Sequence, residues 1–159
     1  MNALSHPSKV LNNKFQNFNQ TQFKAFYSIL VHCWSAKKAF ISKQNFFNLW
    51  CELNKLCHEA DESFPDQYDD HELVLSYCNE HPYYFIYILD LDLIKKLFWK
   101  HFDNRLDVLE EMLSKLDTEG IWAACECVNK ALGLNDNVDD LVADIENYLK
   151  AASWFYCRF

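Results

Sequence analysis

The chain has 159 residues, of which 50% are apolar and 16% aromatic, so it can bury one sizeable core and is too apolar to be disordered. Two Gly and three Pro residues are too few for the many turns of a β-sandwich or β-barrel, which favours long helices. The formal net charge is −8, but the part up to Cys57 carries +6 and the part after it −14. This asymmetry indicates either a face that attracts a basic partner or two halves that attract each other.

The apolar segments are short. The first fifteen residues contain no apolar run of the length that a secretory signal needs. The most apolar stretch, YYFIYIL at residues 83–89, is too short to span a membrane and is followed by Asp90 and Asp92. We therefore expect a soluble, cytoplasmic protein without a membrane partner.

Hydrophobic periodicity predicts an all-α fold, a single compact bundle of about six to seven helices that forms one domain over residues 1–159. Residues 1–20 are polar, with Phe15 and Phe18 as apolar anchors, and are interpreted as a short helix or as a flexible or docked N-terminal arm. Apolar residues from Phe23 to Trp34 then follow helical spacing, with Thr21 as the expected N-cap.

Ser42 is predicted to cap a second helix over roughly residues 43–60. A strongly acidic connection follows, with seven carboxylates and no Lys or Arg between Glu59 and Glu72. Residues 69–72, Asp-Asp-His-Glu, have the pattern of a capping box, which predicts a helix at about 70–80 that ends before Pro82. The carboxylates around Pro65 have no such local explanation.

Residues 83–102 have two interpretations. We favour one long helix that starts at Pro82, because the chain offers no other strand with which residues 83–89 could pair. The alternative is a strand over residues 83–89, supported by its aromatic and β-branched content, followed by a shorter helix capped by Asp90.

Three further helices are predicted in the last third of the chain. They span about 104–116, about 119–132 with Thr118 as cap and Gly133 as stop, and about 138–152 with Asn137 as cap. The apolar tail, residues 153–159, is expected to pack against the bundle.

The sequence predicts no enzyme, no cofactor and no metal site. Phosphate-binding loops need more than two glycines, and neither a CxxC nor an HxxxH pair is present. The seven cysteines are an odd number and lie mostly in apolar helical patterns, so we interpret them as reduced, buried thiols. The residues weighed as metal ligands are Cys51, Cys57, His58, Cys125 and Cys127, and the cysteine–histidine pairs weighed for nucleophilic catalysis are His32-Cys33 and Cys57-His58.

Direct binding of nucleic acid is also not expected. Lysines and aromatic residues alternate in the first third of the chain, but no Arg precedes position 105 and the net charge repels phosphate.

A surplus of aromatic residues supports a second hypothesis, a structural or scaffold subunit that self-associates or joins a larger complex. Its interface would use Trp99, Trp154, Phe155 and Phe159.

The preferred hypothesis is a non-enzymatic acidic binding protein that blocks the site of a basic protein partner. It would be an inhibitor, an antitoxin, an immunity protein or a nucleic-acid mimic, and its partner a toxin, a nuclease or a nucleic-acid-binding protein. Arrayed carboxylates attract a basic surface and speed its association. The predicted partner-binding residues form two patches: Asp61, Glu62, Asp66, Asp69 and Asp70 in the acidic connection, and Asp139, Asp140 and Asp144 in the last helix.

Overall fold

The computed structural model describes residues 9–60, 84–134 and 137–157. In these ranges every helix is an α-helix, and the β structure is limited to one isolated antiparallel bridge between Phe40 and Asn104. The all-α prediction is confirmed. The eight described helices are α1 (Lys9–Gln16), α2 (Gln20–Lys37), α3 (Lys43–Ala60), α4 (Tyr84–Ile88), α5 (Leu91–His101), α6 (Leu106–Thr118), α7 (Ile121–Leu132) and α8 (Val138–Cys157). None of them is long and apolar enough to cross a membrane.

Backbone contacts divide the chain into two units, which are described in turn. The first consists of Met1–Ile41 and Asp103–Phe159, and the second is Ser42–Phe102. One domain over residues 1–159 stays a prediction. The helix expected at about 70–80 and its capping box lie outside the described residues.

The N-terminal part of the first unit is held by a cluster of phenylalanine rings. Phe15 on α1 and Phe18 after it are both buried, and their ring centroids are 5.8 Å apart. Phe15 also meets Phe26 of α2 edge-on at 5.1 Å. Such tilted and edge-on pairs add to the free energy of burying the rings, and they attach α1 and the Phe18 that follows it to α2.

Helix α2 lies at the centre of the first unit, where it contacts α6, α7 and α8. It begins at a capping box: Asn19 Oδ1 accepts the N–H of Gln22 at 2.8 Å, and Gln22 Oε1 accepts the N–H of Asn19 at 2.9 Å. The prediction of Thr21 as cap was wrong, because Asn19 has the extended backbone and the reach that the cap requires, and Thr21 lies inside the helix.

The two sequence-distant parts of the first unit meet at Phe40. Its carbonyl oxygen accepts the backbone N–H groups of Asp103 at 2.9 Å and Asn104 at 3.2 Å, and its side chain is completely buried. Asn104 Nδ2 donates to the Lys38 carbonyl at 2.7 Å. Phe40 has a φ of 74°, which is unfavourable for a residue with a Cβ and is maintained here by these contacts.

Three helix-end signals were predicted for the C-terminal helices of the first unit, and the structure confirms two of them. Gly133 ends α7 in the left-handed conformation, and Asn137 Oδ1 accepts the N–H of Asp140 at 3.1 Å as the cap of α8. The prediction of Thr118 as a cap was wrong. Thr118 is the last residue of α6 and its hydroxyl donates to the Ser114 carbonyl, while Gly120, with a φ of 107°, makes the turn into α7.

The second unit packs α3 against α4 and α5. Ser42 caps α3 as predicted, its Oγ accepting the N–H of Asn45 at 3.3 Å. The core is aromatic: Trp50 meets Phe85 edge-on at 5.4 Å, and Phe85 stacks on Phe98 at 5.9 Å.

Both interpretations of residues 83–102 need correction. Residues 84–88 are helical rather than a strand, and the favoured long helix is interrupted at Asp90, whose backbone is extended. In one continuous helix Phe85 and Phe98 would be about 20 Å apart along the axis. The interruption lets their rings stack at 5.9 Å, so tertiary packing determines the break.

Replacing the observed cap should destabilise the protein, and replacing the predicted one should not. We expect Asn19→Ala to lower the free energy of unfolding by about 1 kcal/mol, because the hydrogen bond from the N–H of Gln22 to Asn19 Oδ1 is lost. Thr21→Ala is the matched control, with an expected change within about 0.5 kcal/mol for an exposed position. Urea unfolding followed by circular dichroism measures both. Equal losses in the two variants would contradict the assignment of the cap.

Candidate protein-binding surface

The structure describes the second of the two predicted acidic patches but not the first. Asp61, Glu62, Asp66, Asp69 and Asp70 lie outside the described residues, so the first patch stays a prediction. Asp139, Asp140 and Asp144 of the second patch are all exposed on α8.

The register of α8 brings its carboxylates to the surface. Leu141 and Ile145, one turn apart, are buried and attach the helix to the unit. Asp139 and Asp140 therefore face outward in the first turn, where a carboxylate complements the helix dipole. Asp144 and Glu146 are also exposed but lie beyond that turn, so the dipole does not account for them.

Trp122 of α7 stands beside these carboxylates. Its side chain is 46% exposed, and its indole Nε1–H donates to Asp139 Oδ1 at 2.9 Å. Among the large apolar residues that the structure describes as exposed, the other two are Val10 and Leu93, both aliphatic. The hydrogen bond fixes an exposed aromatic ring in one orientation next to negative charge. We call Trp122, Glu126, Asp139, Asp140, Asp144 and Glu146 the α7–α8 surface.

Sequence analysis missed Trp122, although the sequence contains a signal for it. The buried side of α7 is formed by Ala124, Cys125 and Val128. Trp122 lies off this stripe and one turn before Glu126, on the polar side of the helix. A large aromatic residue on the polar side of an amphipathic helix is a recognisable candidate for an interface.

The charges of the α7–α8 surface are not neutralised within the described part of the chain. The ion pairs described nearby join Arg105 to Asp107 and Lys115 to Glu119. None of the five carboxylates of the α7–α8 surface belongs to such a pair in residues 9–60, 84–134 and 137–147. The surface therefore combines an oriented aromatic ring with carboxylates that are available to a basic group.

The two cysteines of α7 lie near different helices, and both thiols are poor nucleophiles. Burial, followed by the nearby charge of Glu146 on α8, raises the pKa of Cys125 to about 12. Burial, the charge of Glu111 on α6 and a hydrogen bond to it raise the pKa of Cys127 to about 11. Both thiols are protonated at neutral pH and fill space in the core.

A second cluster of polar groups lies in the other unit, between α3 and α5. Glu52 Oε1 accepts a hydrogen bond from Lys100 Nζ at 3.1 Å, and its Oε2 lies 3.2 Å from Nε2 of the buried His101. Beside it is an open groove of about 300 Å³. The groove is lined by Glu52, Lys55, Leu56, Glu59, Leu97 and Lys100.

This cluster fastens one helix to another, and its chemistry does not favour catalysis by a thiol. Partial burial tends to raise the pKa of Glu52, but hydrogen bonds and charge from Lys100 and His101 outweigh it, so the pKa lies below its usual value. The adjacent Cys51 has its pKa raised by burial and by the charge of Glu52. In the described ranges no three His, Cys, Asp or Glu side chains are placed to hold a metal ion.

The aromatic residues of the scaffold hypothesis are placed as follows. Trp99 is half-buried and meets Phe102 edge-on at 5.7 Å within its own unit. The side chains of Trp154 and Phe155, and all of Phe159, lie outside the described part. The scaffold interface stays a prediction.

Comparison with protein-family models, with curated proteins and with solved structures finds no match to this chain.

The thiols of α7 should resist alkylation in the folded protein. With pKa values of about 12 and 11, Cys125 and Cys127 carry little thiolate at pH 8. We expect iodoacetamide to leave both unmodified under native conditions and to modify both in urea, as measured by mass spectrometry of the peptide that contains them. Rapid native alkylation of either thiol would contradict its burial.

The Glu52 cluster should make the free energy of unfolding depend on pH. Because the pKa of Glu52 is lowered in the folded state, its contribution is complete above its unfolded value of about 4.5 and is lost as the pH falls through the folded value. Glu52→Gln should therefore reduce stability at pH 7, by up to about 1 kcal/mol for such an exposed pair, and have a smaller effect near pH 3.

Glu59→Gln is the matched control, since Glu59 lies two turns further along α3 and is exposed. It should change stability little at either pH. Urea unfolding at several pH values compares the two variants with the wild type. The same pH dependence in wild type and Glu52→Gln would show that the cluster does not contribute.

Proposed function

We propose that this protein is a non-enzymatic acidic binding protein that inhibits or neutralises a basic protein partner through its α7–α8 surface. The partner is a toxin, a nuclease or a nucleic-acid-binding protein, and inhibition results from covering its basic site. Where the partner binds nucleic acid, the carboxylates stand in place of phosphates. The single observation that carries the proposal is Trp122, half-exposed and hydrogen-bonded to Asp139, among carboxylates that form no ion pair within the described residues.

An oriented tryptophan is suited to anchor a protein interface. Exposed Trp buries a large area on binding, loses little conformational entropy and attracts Lys or Arg to its face. The hydrogen bond to Asp139 at 2.9 Å already restricts the ring, so less order must be imposed on binding. A basic side chain on the ring would also lie close to Asp139 itself.

The surrounding charge supplies the second requirement, selection of a basic partner. Glu126, Asp140, Asp144 and Glu146 are exposed, and the chain from His58 onward carries a net charge of −14. Such a field accelerates encounter with a basic protein and repels an acidic one. The same field opposes binding of nucleic acid to this part of the chain.

The proposal predicts that the recovered partner depends on both features of the surface. In quantitative affinity purification from the native cell, Trp122→Ala and Asp140→Lys/Asp144→Lys should each deplete one basic protein that the wild type recovers. For that protein in purified form, we expect Trp122→Ala to weaken the Kd by roughly 30-fold, the scale of an interface hot spot. Binding of the wild type should weaken steeply as salt increases.

Matched controls separate this surface from general effects. Leu93→Ala removes another exposed apolar side chain, and Glu110→Lys/Asp117→Lys makes the same charge change on the exposed side of α6. Both should recover the partner as the wild type does. A set of recovered proteins that is the same for wild type, Trp122→Ala and Asp140→Lys/Asp144→Lys would refute the proposed function of this surface.

A further inference from the structure

The first unit carries a lysine pair that is opposite in charge to the α7–α8 surface. Lys37 and Lys38, at the end of α2, are both exposed. The described residues 9–41 contain five lysines and no acidic residue. Neither Lys37 nor Lys38 forms an ion pair anywhere in the described part of the chain. Within the described residues, the first unit therefore has both positive and negative groups that form no ion pair with each other.

Contacts within the first unit hold Lys38 in place. The N–H of Lys38 donates to the Trp34 carbonyl at 2.8 Å, and its own carbonyl accepts Asn104 Nδ2 at 2.7 Å. The Lys38 ammonium lies over the Trp34 ring at 4.1 Å. Its backbone is left-handed, with a φ of 54°, which turns the chain at this point. A fixed basic projection loses less entropy on binding than a mobile one.

We propose that the α7–α8 surface of one copy binds the Lys37–Lys38 projection of a second copy of this chain, head to tail. Two adjacent ammonium groups then face the carboxylates of Asp140 and Asp144, and one lies within reach of the Trp122 ring. The inference rests on the proposed function, because self-association occupies the surface that the basic partner uses. The free protein at high concentration covers its own docking surface, and the basic partner displaces the second copy.

The geometry has a consequence for assembly. The two complementary sites are different patches of the same molecule, so the contact is heterologous, and a pair of copies retains one free acidic site and one free basic site. Assembly therefore continues beyond a dimer unless the rotation closes a ring. An isologous dimer formed by aromatic side chains would stop at two copies and be insensitive to salt.

Sedimentation equilibrium of the purified protein tests this arrangement. At about 50 mM salt the weight-average mass of the wild type should exceed the monomer mass of 18.9 kDa and rise with concentration, and at about 500 mM salt it should fall to the monomer value. Lys37→Glu/Lys38→Glu loses the basic site, and Asp140→Lys/Asp144→Lys loses the acidic one. Each variant alone should self-associate at least about tenfold more weakly than the wild type.

Mixing the two variants provides the decisive control. Each retains the site that the other lacks, so an equimolar mixture should associate although each variant alone does so only weakly. This result also shows that both variants fold. The four-substitution variant Lys37→Glu/Lys38→Glu/Asp140→Lys/Asp144→Lys exchanges the charges of the two sites and should recover self-association.

A wild type that stays monomeric at low salt, an association that is insensitive to salt, or a mixture that stays monomeric would each overturn the inference. Each of these results can be told apart from a failure of the proposed function in the affinity purification.

If the wild type is monomeric and still recovers a basic protein through Trp122, the self-association is refuted and the proposed function stands. If the chains associate but no basic protein depends on the α7–α8 surface, the proposed function fails and the head-to-tail contact stands.

Discussion

The carbonyl of Phe40 joins the two parts of a unit that is discontinuous in sequence. It accepts the N–H groups of Asp103 and Asn104. In the sequence, these residues are separated from Phe40 by the second unit, Ser42–Phe102. The contact requires a positive φ at a buried phenylalanine, a strain on the order of 1–3 kcal/mol. That strain persists because the hydrogen bonds and the complete burial of the ring offset it. Helix α2, which precedes Phe40, is thereby set against α6, α7 and α8, which follow Asn104.

This constraint also positions both sites of the first unit. Lys38 lies two residues before Phe40 and is bonded to the same Asn104, so the basic projection is part of the junction. On the other side, α7 uses Ala124, Cys125 and Val128 for the core, which leaves Trp122 and Glu126 outside. Lys38, Trp122 and Glu126 therefore lie on or next to helices α2 and α7, which pack in the core of the unit.

Hydrophobic spacing in the sequence was sufficient for most of the described helices, and local end signals for three of the five helix ends tested. Ser42, Gly133 and Asn137 act as predicted, because each end signal depends on bonds or a dihedral angle within a few residues. Thr118 was wrong because the competing signal, Gly120, has a backbone freedom that overrides a hydroxyl cap. Of the predicted binding residues, Asp139, Asp140 and Asp144 are exposed as the periodicity of α8 implies, and Trp122 was overlooked despite its place on the polar side of α7.

By itself the sequence determined the all-α class, the register of the amphipathic helices and the separation of positive and negative charge along the chain. These follow from composition and from contacts between near neighbours. Only the tertiary structure decided the break at Asp90, the junction at Phe40 and the pairing of Trp122 with Asp139. Each depends on residues that are distant in sequence, such as Phe85 and Phe98, whose approach no local pattern specifies. Long-range packing selects those partners, because it is the burial of whole side chains that offsets a broken helix or a strained backbone.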